Sequence, residues 1–151
     1  MLSIGEKHIK IVLLQNPDSS PGMDAQAFLH FNRALLNDNL GKTDDAIPAF
    51  RQAIQEIELL CESVPWNSDY WNSAQWFHRE SLRRMQKANR VSEVDSLIET
   101  ITAWLHKIDS KNFTDVEQQK GVAQTRQAFI ALLRSIGREG EADRLASGLN
   151  H

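Results

Sequence analysis

The sequence predicts an all-α protein built from stacked antiparallel helix hairpins, and three observations carry that expectation. Apolar residues recur at helical spacing through several long stretches. Ser, Thr or Asp residues stand where those stretches begin, as helix N-termini require. Three turn residues, Gly41, Asn89 and Gly137, are evenly spaced along the chain, so the pattern has an internal period.

Taken in order, Ser3 followed by Glu6 resembles a capping box and opens residues 3 to 15 as a short leading helix with Ile4, Ile11 and Leu14 inward. The β-branched residues Ile9, Ile11 and Val12 leave a strand as the alternative. Pro17 and Pro21 then break the chain in a loop from Asn16 to Gly22. The first hairpin starts near Asp24. Gly41 supplies the positive φ that ends its first helix, Thr43 caps the second, and Asp44 and Asp45 lie at the favourable end of that helix's dipole. The second helix runs to Ser63 on the strength of Ala46, Ile47, Phe50, Ala53, Ile54, Ile57 and Leu60, with Pro48 tolerated near its first turn. After Val64 to Ser68, a third amphipathic stretch extends from Asp69 to about Ala88. Ser92 and Asp95 cap a fourth helix ending near Asp109, and Thr114 with Glu117 opens a fifth that runs to Gly137. A short sixth covers Glu139 to Leu149. One domain over residues 1–151 is expected, with a leading segment at 1–22 and hairpins at 24–63, 69–109 and 114–149.

At 151 residues such a chain buries roughly 68 to 70 % of its unfolded surface, so no staple is required. The net charge of −3 and the absence of a Lys/Arg block argue against nucleic acid. The apolar run KHIKIVLL is too short for a secretory core, and no membrane association is expected. Cys61 is the only cysteine and reads as a small apolar core group, which suits a reducing compartment and makes the cytoplasm the expected location. His30 and His78 are separated by the same interval as the turn residues and suit packing with one hydrogen bond each; no HxxxH or CxxC spacing points to a metal. Catalysis and cofactors find no support. There is no glycine-rich phosphate loop, GxSxG or HExxH, and nothing in their spacing selects Glu56 and Glu80 as an acid and base pair.

The inner-face residues repeat in step with the turns. Ala46, Val94 and Ala142 share one place, as do Phe50, Ile98 and Ala146, Ala53, Ile101 and Leu149, and Ala34, Leu82 and Ile130. In the first hairpin Ala34, Ala46, Phe50 and Ala53 form a small-small-large-small contact that lets two helices approach closely. On these residues the chain resembles the tetratricopeptide repeat family over roughly residues 24 to 149. The family's usual period is about 34 residues, so this would be a long-helix form, and Leu82 departs from the small residue expected in the second unit. A six- or seven-helix bundle without an open groove is the competing architecture.

The resemblance implies that the first helix of each pair lines a concave surface receiving a partner segment. Those residues would be Phe28, Phe31, Leu35 and Asp38, then Trp76, Arg79, Arg83, Gln86 and Lys87, then Gln124, Gln127, Ala131 and Arg134. Spacing alone places Trp76, Arg79, Arg83 and Lys87 on one helix stripe, aromatic and basic. An acidic protein or peptide would gain charge-assisted hydrogen bonds from the two arginines and a flat anchor from Trp76. Some family members clamp a C-terminal carboxylate at comparable places, but Phe31 and Leu35 stand where polar partners belong. The competing expectation is that these arginines pair with acidic helices bearing Asp44, Asp45, Glu56, Glu58 and Glu62, or Glu93, Asp95 and Glu99. Trp71 and Trp76 lie about 140° apart on a helix, so one anchors the core, and Trp76 is expected to be the exposed ring. The expected function is a cytoplasmic adaptor without chemistry of its own. The alternatives are an inhibitor or immunity-type protein using an acidic face, a small-molecule sensor with an aromatic pocket near Trp66 to Phe77, and a stack that self-associates into a homo-oligomer.

Overall fold

The computed structural model of this chain describes residues 20–111 and 113–148. The expected leading helix or strand, the start of the loop that follows it, and Leu149 lie outside them. The described residues form an all-α structure of six helices with no strand: α1 (Ser20–Asn39), α2 (Thr43–Ser63), α3 (Ser68–Lys87), α4 (Val91–Asp109), α5 (Val116–Ser135) and α6 (Glu139–Gly148). They fall into two compact units, Met1–Val64 with α1 and α2, and Pro65–His151 with α3 to α6.

Three helix-to-helix corners are built alike. Gly41, Asn89 and Gly137 all have positive φ, at 77°, 59° and 83°. At the first corner the Lys42 amide reaches back to the Asn37 carbonyl at 2.8 Å and the Gly41 amide to Asp38 at 3.0 Å. The same pair of bonds recurs at the second corner, from Arg90 to Met85 and Asn89 to Gln86, and at the third, from Arg138 to Leu133 and Gly137 to Arg134. This is the Schellman arrangement, in which one left-handed residue satisfies carbonyls that a helix end otherwise leaves orphaned.

Such tight corners move the caps. The carbonyls of Lys42 and Arg90 already accept the first bonds of α2 and α4, from Ala46 and Val94, so these residues hold the N-cap position without a side-chain cap. Thr43 and Ser92, expected as caps, are drawn inside the helices. At the looser entry to α5 the cap is Asp115, not Thr114; its carboxylate accepts from the Glu117 and Gln118 amides at 2.9 and 3.2 Å. Helix α1 also begins earlier than expected, with Pro21 as its second residue, where a missing amide hydrogen costs nothing.

In the first unit, α1 packs antiparallel on α2. Ala27, Phe31 and Ala34 meet Ala46, Phe50 and Ala53 in a fully buried seam, with the Phe31 and Phe50 rings edge to face at 5.5 Å. Burying one such side chain contributes about 1.5–3 kcal/mol. His30 Nδ1 lies 2.7 Å from the Glu56 carboxylate and ties the two helices together. Burial nevertheless raises the pKa of Glu56 above its usual value, against the lowering influence of His30. Cys61 is buried, and burial followed by the charges of Glu58 and Glu62 pushes its thiol pKa up.

In the second unit, α3 packs on both α4 and α5, α4 also touches α5, and α6 folds back on α5. The core centres on Trp71, whose indole N–H donates to the Pro65 carbonyl at 2.8 Å and whose ring lies 6.1 Å from Trp104. His78 is wedged edge-on between Trp104 and Phe129, at 5.8 and 5.9 Å. Gly121 faces Trp71: a Cβ there would fall 2.5 Å from the indole Cδ1. Glycine at this point lets α5 approach α3 closely enough to lay its backbone on the ring.

Candidate functional site

The contacts between α3 and α5 share one register. Trp71 faces Gly121, the Gln75 amide donates to Thr125 Oγ1 at 3.1 Å, and the Gln86 amide donates to the Ile136 carbonyl at 3.0 Å. All three pairs have the same separation in sequence, so the helices run parallel. Between the two glutamine bonds, about 16 Å apart along the helix axis, a groove of about 380 Å³ opens.

One wall of this groove is basic. Arg79 and Arg83, one turn apart and both exposed, line it from α3. Ala128, Ala131 and Ser135 from α5 make the facing wall, and Phe129 and Leu132 supply apolar surface beneath. No carboxylate lines the groove among the described residues. Among the described residues neither Arg79 nor Arg83 makes an ion pair.

Several of the second unit's carboxylates pair with other cations. Glu93 pairs with Arg90 at 3.0 Å, Asp95 and Glu141 share Arg138, and Asp109 pairs with Arg126 at 3.3 Å. Hydrogen bonds from Glu141 and Asp95 push the Arg138 pKa up. Glu80 holds Arg84 within α3. Among the described residues of the second unit, Arg79 and Arg83 pair with none of Glu93, Asp95 and Glu99.

The other expected site residues are scattered. Trp76 is half-buried, with its ring 5.7 Å from Phe77, and Lys87 is exposed at the last residue of α3; neither lines the groove. Arg134 is turned to α6, pairing with Asp143 at 3.2 Å and Glu139 at 3.5 Å. Gln86 is spent on the bond to Ile136, and Gln124 and Gln127 are exposed on α5. Phe28, Leu35 and Asp38 are half-buried in the first unit. Phe31 has no exposed surface and serves as a packing residue against Phe50, because the α1 face that carries it is the one α2 covers.

Two expectations about other surfaces also meet the structure. Tyr70, Trp71 and Phe77 are buried and Trp66 is 63 % exposed, and none of them lines the α3–α5 groove or the cavities beside Arg138 and Arg126. Trp71, not Trp76, is the core anchor, as expected. On α2, Glu58 is buried and Glu56 is held by His30, so that helix does not present one continuous solvated acidic face.

Residues that the sequence reading passed over prove central to the groove. Gly121 brings α3 and α5 together, and Gln75 with Thr125 holds one end. A glycine inside a helical pattern costs about 1 kcal/mol against alanine, which was the available signal for a close approach. No family model, no curated protein and no solved structure matches this chain.

Proposed function

We propose that this protein is a non-catalytic interaction module, an adaptor or regulator of the tetratricopeptide type, which takes a partner segment into the α3–α5 groove. The observation that carries this reading is the pair of guanidinium groups Arg79 and Arg83, which make no ion pair among the described residues and line the groove beside apolar surface, with no carboxylate among its described lining residues. A cationic wall beside apolar surface offers both anchoring and charge-assisted hydrogen bonds to a protein ligand. The repeat assignment is supported by the three evenly spaced Schellman corners. Ordered grooves between like hairpins are how helical repeats bind. The cytoplasm is the compartment proposed for it, in keeping with a single buried thiol.

The test compares the parent with Arg79→Glu plus Arg83→Glu in affinity purification read by mass spectrometry, after circular dichroism has shown equal helicity and melting. Loss of specific partners in the variant is the expected outcome. An unchanged partner set would remove the groove as the binding surface.

A further inference from the structure

Building on that reading, we infer the chemistry of the segment: the α3–α5 groove takes an extended stretch of chain with carboxylates at alternate positions and apolar side chains between them. Two unlike walls, basic from α3 and largely apolar from α5, suit a chain whose successive side chains point to opposite sides.

The two walls then set the order of side chains. Arg79 and Arg83 are one turn apart, which places their Cβ atoms about 5–6 Å from each other. In an extended chain, side chains at i and i+2 share a face about 6.5–7 Å apart, within reach of both guanidinium groups, while i+1 points the opposite way. That opposite side is the α5 wall with Ala128, Ala131, Phe129 and Leu132, which offers an apolar side chain contact area and, among the described residues, no cation for a carboxylate. Adjacent carboxylates cannot both face the arginines. The groove is also held open in advance, since Gln75–Thr125 and Gln86–Ile136 fasten its two ends. The spacing of about 16 Å between those ends admits about five extended residues. Little ordering of the protein is needed on binding.

Fluorescence anisotropy on the whole protein tests this with three short labelled peptides, blocked at both ends. One has the core Asp-Leu-Asp-Leu-Asp, the second the same residues as Asp-Asp-Asp-Leu-Leu, and the third lysine in place of each aspartate. The alternating peptide should bind about tenfold or more tightly than its permutation, a difference of about 1.4 kcal/mol. The lysine peptide should not bind, added salt should weaken the complex, and Arg79→Glu plus Arg83→Glu should abolish it. Equal binding of the two acidic peptides, binding that survives in the double variant, or no binding of the alternating peptide would overturn the inference. If partner capture depends on the arginines while the peptides show no preference, this inference fails and the interaction reading stands. If capture ignores the arginines, the reading itself fails.

Discussion

Two clefts open between the hairpins of the second unit, and they handle charge in opposite ways. The α4–α6 cleft, about 660 Å³, is lined by Asp95, Glu99 and Glu141 together with Arg138 and Arg144, and Arg138 is shared by two of those acids. The α3–α5 groove carries, among the described residues, two arginines and no acid. In the first cleft charge is spent on fastening helices to one another; in the second the fastening is done by neutral glutamine bonds and by a glycine laid against an indole. A surface whose helices are joined by neutral contacts can keep its charges for a ligand.

The largest expected effect comes from breaking that neutral fastening. Alanine at position 121 would gain about 1 kcal/mol of helix propensity. Its Cβ would meet a ring that cannot retreat, because Trp71 is buried and hydrogen-bonded to Pro65. Overpacking of this kind costs about 1–3 kcal/mol, so urea denaturation of Gly121→Ala should show net destabilisation. A more stable variant would mean that α3 and α5 part freely and that the groove is not preset.

Next in size, Arg138→Gln removes both ion pairs at the α4–α6 corner and should cost about 1 kcal/mol, less in high salt. The matching change in the groove, Arg79→Ala with Arg83→Ala, should leave stability within about 0.5 kcal/mol of the parent. Equal losses in the two variants, measured by thermal melts in the same buffer, would erase the contrast between the clefts.

The smallest effect uses the first hairpin as a reference outside both clefts. Burial holds the Glu56 pKa above its ordinary 4.5, so the folded chain favours the protonated acid. Its contribution to stability is present below 4.5 and lost as pH rises through the raised folded value. The stability of Glu56→Gln relative to the parent should therefore increase across that window and level off above it. A difference that is flat or opposite in slope would show that the His30 pairing outweighs the burial.

Much of the helical layout was legible in the residues because it rests on local rules. Apolar spacing marked each helix, and Gly41, Asn89 and Gly137 marked corners that only a left-handed residue can turn. Caps were less legible: Thr43 and Ser92 have the right chemistry, but the preceding backbone residue takes the position first. Of the residues expected to bind, Arg79 and Arg83 line the α3–α5 groove, whereas Phe31 is buried, because both faces of α1 carry apolar side chains and the pattern does not say which one α2 covers. Gly121 went unread because its meaning depends on Trp71, two helices earlier in the chain.

The chain by itself determined the all-α class, the position of its helices and the equivalence of three corners, since helical period and left-handed φ are properties of neighbouring residues. Tertiary structure alone decided which charges are paired. Arg138 finds Asp95 across 43 residues and Arg126 finds Asp109 across 17, while Arg79 and Arg83 find no carboxylate at all among the described residues. Coulombic pairing depends on distance in space, and that distance exists only after the helices have packed.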